Sequence, residues 1–147
     1  MIRTKWALVG ATLMFVTVLA GCTATMEDVI ESEDQGTAVV YPVTASEAWD
    51  IAHSVLRWEG TDLIEGHRDS GYMLTTTPST FWSTGGLVGV WIDSVDQNHT
   101  KVTIVVKKKH PGSISSLPFT ESSFHKKFAQ AVEIISSGKP LPLEAPK

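Results

Sequence analysis

LVGVWIDSVDQNHTKVTIVVKK, residues 87–108, reads as two extended segments around a four-residue turn, and the fold can be worked outward from it. Val88, Val90 and Ile92 alternate with Trp91 and Asp93; beyond Asp96-Gln97-Asn98-His99, Val102, Ile104 and Val106 alternate with Lys101, Thr103 and Lys107. A period of two belongs to a β-strand, and apolar against polar along it means one face buried and one wet. The hairpin is therefore expected to carry Trp91 on its solvent side, among polar neighbours.

Upstream, residues 71–77 form another alternating run, with Tyr72, Leu74 and Thr76 on one face. Residues 62–65 precede it through a turn at His67-Arg68-Asp69-Ser70-Gly71. Further back, Thr44-Ala45-Ser46-Glu47 is a capping box, in which the hydroxyl and the carboxylate satisfy free amides of a starting helix. The helix should run over residues 45–59, with Ala48, Trp49, Ala52, Val55 and Leu56 on one face and Gly60 ending it. Residues 37–43 (TAVVYPV) are β-branched and aromatic, with a proline near the end, as suits an edge strand.

Downstream, Thr120 caps a second helix reaching residue 137, with Gly138 beyond it and Phe124, Phe128, Ala131, Ile134 and Ile135 along its apolar stripe. The order β-α-β-β-β-β-α predicts an α+β fold: about five antiparallel strands with both helices on one face of the sheet.

The N-terminus has a different character. Arg3 and Lys5 precede an apolar run, residues 7–19, too short for a bilayer span of about 20 residues. Leu19-Ala20-Gly21-Cys22 closes that run and resembles the lipobox of bacterial lipoproteins. The resemblance implies cleavage between Gly21 and Cys22, a thioether-linked diacylglycerol and an N-acyl chain such as palmitate on Cys22, and no other cofactor. Thr23 stands where an inner-membrane retention signal typically has Asp, which favours the periplasmic face of the outer membrane. The expected organisation is a signal peptide over 1–21, an acidic tether over 22–36, one α+β domain over 37–138 and a proline-rich tail over 139–147. As a flexible coil, the tether would hold the domain on the order of 20 Å from its anchor.

The stretch from Val40-Tyr41-Pro42-Val43 through Ala48-Trp49 to Gly71-Tyr72 is similar to the opening of small BamC-like, helix-grip envelope lipoprotein domains. The likeness extends loosely over about a hundred residues. It implies a fold and no catalytic residue.

Charge is uneven within the formal net of −4: residues 22–60 carry eight acids against Arg57, whereas residues 101–147 carry eight lysines against three acids. Lys107, Lys108 and Lys109, with Lys101, Lys126 and Lys127, are either a surface for anionic lipid, cell-wall carboxylates or an acidic protein, or a solvated face. Phe81 and Trp82, in a polar loop flanked by glycine, are either a binding tip or a cover for the core. Trp91 joins them as a candidate contact. Nucleic acid is disfavoured by the negative total and by the compartment the leader implies.

Signals for chemistry are weak. The five histidines show no recognised ligand spacing, so no metal site is expected, and Cys22 is the chain's one cysteine. There is no G-x-S-x-G or H-E-x-x-H, and Gly85-Gly86-Leu87-Val88-Gly89 precedes a strand, not the helix a phosphate loop would open. The sequence thus points away from an enzyme and toward a lipid-anchored envelope module that binds a protein partner. The alternative is a carrier whose helices grip a small ligand or lipid against the sheet.

Overall fold

A computed structural model describes residues 23–147 apart from Asp62, residues 80–83 and residues 113–116. The described chain is α+β, with a five-stranded antiparallel sheet and three helices. Its strands are β1 (Thr37–Tyr41), β2 (Ile64–His67), β3 (Tyr72–Thr76), β4 (Gly86–Ser94) and β5 (Thr100–Lys108). Its helices are α1 (Met26–Ile30), α2 (Ala45–Trp58) and α3 (Glu121–Ser136).

The hairpin of β4 and β5 pairs from Gly86 opposite Lys108 to Ser94 opposite Thr100. Its turn is closed by Val95 N–H donating to the His99 carbonyl at 2.9 Å and Asn98 N–H to Asp96 Oδ1 at 2.8 Å. Around this centre the strand order is β1-β5-β4-β3-β2, which leaves β1 and β2 as the edges.

Both long helices lie on one face of the sheet. Thr44 and Glu47 form the capping box expected of α2, and Thr120 caps α3 through Ser123. Gly60 and Gly138, with φ of 83° and 76°, take the left-handed positions beyond the two helices. Ile51 joins Ala48, Ala52, Val55 and Leu56 in the core, while Trp49 is only half-buried and lies across Gly66, with the Arg68 guanidinium 5.3 Å from its ring centre. Glu121, in the first turn of α3, accepts from Thr37 N–H and Val106 N–H, each at 3.1 Å. One carboxylate thereby ties β1 and β5 together and seats the helix on both.

The second face of the sheet departs from expectation. It is covered, and what covers it is the segment read as a solvated tether. Residues 26–30 form α1, capped by Thr25 and Asp28, and a short 3-10 turn (Glu33–Gln35) leads on to β1. Val29 is fully buried against Leu74, Leu87, Trp91 and Val105, with Met26, Ile30 and Tyr72 at the margin of this smaller core. Trp91 is consequently only 5% exposed, and the wet face expected around it is a second hydrophobic layer.

The C-terminal tail has no regular secondary structure and bends at residues 143–144, but it is docked. Trp58 Nε1–H donates to the Pro142 carbonyl at 3.0 Å, and Leu141 packs against the main core.

Candidate functional site

The end of β5 and the start of the described chain meet. Ala24 N–H donates to the Lys109 carbonyl at 3.1 Å, so the polypeptide enters the fold beside Lys107, Lys108 and Lys109. Thr23, Ala24, Asp28, Lys107, Lys108 and Pro111 line an open cleft of about 720 Å³ there. Asp28 holds the entering segment in place: its carboxylate accepts from Thr25 N–H at 2.6 Å and from the Thr25 hydroxyl at 2.8 Å. Those two bonds, the backbone one foremost, keep its carboxyl below the usual carboxylate range, and Lys107 adds a smaller pull in the same direction.

A carboxylate with a depressed pKa in the fold contributes stability that is complete above its unfolded value of 3.8 and is lost as pH falls through the lower folded value. Acidification below pH 3.8 is therefore expected to loosen α1, read as a lower protection of the Val29 amide against hydrogen exchange relative to its intrinsic rate at the same pH. The Asp28→Asn variant should lose that pH dependence. Equal acid sensitivity in both proteins would mean that the cap does not hold the helix. The Asp96 carboxyl is also depressed, by Asn98 N–H and then His99, and that of Glu33 is raised, so a global unfolding signal would mix several groups where the Val29 amide reports on α1 itself.

The opposite end of α1 is acidic. Glu31, Glu33 and Asp34 border a groove with Lys101 and Thr103. Burial, followed by the nearby Asp93 carboxylate, raises the pKa of Glu33. Lys101 pairs with Asp93 at 3.2 Å. The face carrying α1 is thus polarised along β5, cationic where the chain enters and anionic toward the hairpin turn.

The remaining candidate residues are dispersed. Gly21, Cys22, Phe81 and Trp82 lie outside the described residues, and Trp91 sits under α1. Lys126 and Lys127 do not join the β5 lysines: both are on α3, where Lys127 pairs with Glu59 at the end of α2.

Of the histidines, His67 stacks on Tyr72, with the Glu65 carboxylate 2.7 Å from its Nε2. His99 bonds to Asp96 in the hairpin turn. His125 is buried: Nε2–H donates to the Thr37 carbonyl at 2.9 Å, Nδ1 lies 2.8 Å from the Tyr41 hydroxyl, and that hydroxyl also donates to the His125 carbonyl at 3.2 Å. Burial pushes the Tyr41 hydroxyl up to about 12. This pair fastens α3 to β1, and its one sequence signal was that His125 adjoins Phe124 on the apolar side of the helix. Among the described residues no group of three His, Cys, Asp or Glu side chains could hold a metal ion.

Two further features bear on function. Between the long helices and the sheet, Phe119, Phe124, Phe128, Ile51, Leu56 and Met73 are fully buried and fill the space. Tyr41 and Phe128 have ring centres 4.4 Å apart, and Phe124 and Phe128 5.8 Å. At the sheet edge next to β2, by contrast, Leu63 is 85% exposed beside an open groove that includes Met26, Ile64 and Leu74.

No protein-family model matches this chain, and no curated protein shows significant similarity to it. No helix among the described residues is long and apolar enough to cross a membrane.

Proposed function

We propose that this chain is a lipid-anchored lipoprotein of the bacterial cell envelope, held by acyl chains on Cys22, whose folded domain works by binding another protein and not by catalysis. The anchor reading rests on the lipobox residues Leu19-Ala20-Gly21-Cys22 behind a basic, apolar leader. The observation that carries the interaction reading is where apolar surface is spent. Both faces of the sheet are filled by the protein's own side chains, in two separate cores. The gap that a helix-grip carrier would keep for its ligand is occupied by the phenylalanines of the α3 region, which favours a module acting at its surface.

The surface best suited to a partner is the β2 edge. An edge strand offers unpaired backbone donors and acceptors to an incoming extended segment, and the exposed Leu63 with its adjoining groove supplies an apolar seat.

The test has two arms in cells that produce the full chain. Metabolic palmitate labelling should mark the protein and vanish with Cys22→Ala. A photo-crosslinking residue at position 63 should give one discrete protein adduct, absent when the same probe replaces the exposed Lys126 on α3. Failure to take up label removes the anchor, and the lack of an adduct specific to position 63 removes the β2 edge as the contact.

A further inference from the structure

The route of the chain past the end of β5 has a consequence for how the domain sits on a membrane. A flexible coil over 23–36 would leave the domain free to tumble roughly 20 Å from its anchor. Instead the chain is tied down from Ala24 onward, by its amide bond to Lys109, by the Thr25 and Asp28 cap and by burial of Val29. Covalent geometry alone keeps residue 22 within about 8 Å of Ala24. That distance is no longer than the Debye length at physiological ionic strength, roughly 8 Å, so charges around Ala24 act on the surface in which residue 22 is held.

Those charges are cationic on balance, three consecutive lysines against Asp28 in the cleft and Glu27 beside it in the first turn of α1. Lys107 and Lys108 line the cleft at Thr23 and Ala24, and the exposed Lys109 and His110 follow directly. The anionic group of Glu31, Glu33 and Asp34 lies by Lys101, which is seven residues earlier along β5 and therefore roughly 25 Å away at about 3.4 Å per residue. An anionic surface at the anchor attracts the near end and leaves the far end several Debye lengths out.

We propose that Lys107 and Lys109 form a headgroup-binding face that docks the domain directly on an anionic phospholipid surface, with β5 rising from the bilayer and the β4–β5 turn pointing away from it. The occupant is fixed by two observations: the chain enters the fold at this face, and the cluster's charge is opposite to that of the lipid phosphates. The inference rests on the anchored reading of Cys22. It adds an orientation and removes the tether.

The test uses the lipidated full chain in vesicles of phosphatidylcholine alone or of phosphatidylcholine with 30% phosphatidylglycerol, probed by a water-soluble amine-acylating reagent and read by peptide mass spectrometry. Labelling of Lys107 and Lys109 is expected to fall at least threefold in the anionic vesicles and to recover in 0.5 M NaCl. Lys101, at the far end of the same strand, should label equally in both. Protein that floats with the vesicles while Lys107 and Lys109 label alike in the two compositions overturns the docking proposal and leaves the anchor intact. Protein that fails to float with either composition overturns the anchor, and the docking proposal with it.

Discussion

Gly89→Val is expected to expel α1 from the sheet, shift the emission of Trp91 to longer wavelength and cost about 2–3 kcal/mol of stability in denaturant unfolding. The reason is local. A Cβ at Gly89 would stand 2.5 Å and 2.7 Å from two ring carbons of Trp91 and 2.7 Å from a methyl carbon of Val29, all distances real side chains do not adopt. Gly89 is the floor on which the indole lies flat, and the indole is in turn the surface on which Val29 sits. Backbone preference opposes the effect: valine suits a strand better than glycine, by up to about 1 kcal/mol. Steric conflict with two fully enclosed groups outweighs that gain. A five-residue helix has no stability of its own, so once Val29 is unseated α1 melts and does not merely shift. Val29→Asp should reproduce the spectral change with the sheet untouched, because it places an unpaired carboxylate where a buried methyl had been. A Gly89→Val protein with native emission and native stability would mean that the second core contributes nothing. The variant also bears on membrane docking, since melting α1 turns residues 23–36 into the coil that the composition alone suggested.

The difference between the expected tether and the observed α1 shows what a sequence conveys and what it conceals. The two long helices were legible because each carries its own start and stop: Thr44 with Glu47 and then Gly60, Thr120 and then Gly138. The β4–β5 hairpin was legible because its partners are neighbours in the chain. Residues 25–30 also carried local signals, since Thr25 and Asp28 form a T-x-x-D cap and Met26, Val29 and Ile30 recur at three- and four-residue spacing. The surrounding acids outweighed them, and so short a run counts for little until its docking site is known. That site was itself hidden, because Leu74, Leu87, Trp91 and Val105 come from three strands and reveal a second apolar face only once the sheet is assembled. The candidate site divides in the same way. Lys107 to Lys109 are consecutive and were visible at once. Their meeting with Ala24 spans most of the chain and follows from the docking of α1, which no local pattern encodes.

Phe128→Ala is expected to cost about 3–5 kcal/mol, enough to lower the thermal midpoint by roughly 10 °C or more, and to create a binding site that the natural protein lacks. Phe128 is fully buried at the junction of α3 with the sheet. It touches Tyr41 across a 4.4 Å ring separation and Phe124 at 5.8 Å, and the same Tyr41 hydroxyl bonds to Nδ1 of His125 on the neighbouring turn. Truncation removes the transfer free energy of the ring and leaves a void that this clamped pair prevents from collapsing, which places the cost toward the upper part of the range. A dry apolar cavity of that kind admits a benzene-sized guest, so saturating benzene should raise the melting temperature of Phe128→Ala and leave the natural protein unchanged. The experiment also separates the two functional readings. If the natural protein itself gains stability from an apolar guest, or retains a stoichiometric small molecule through purification, the space between helices and sheet opens in solution and the carrier reading displaces the surface-binding one. If only the variant responds, the phenylalanines fill in the native chain the volume that a carrier would have kept for its cargo.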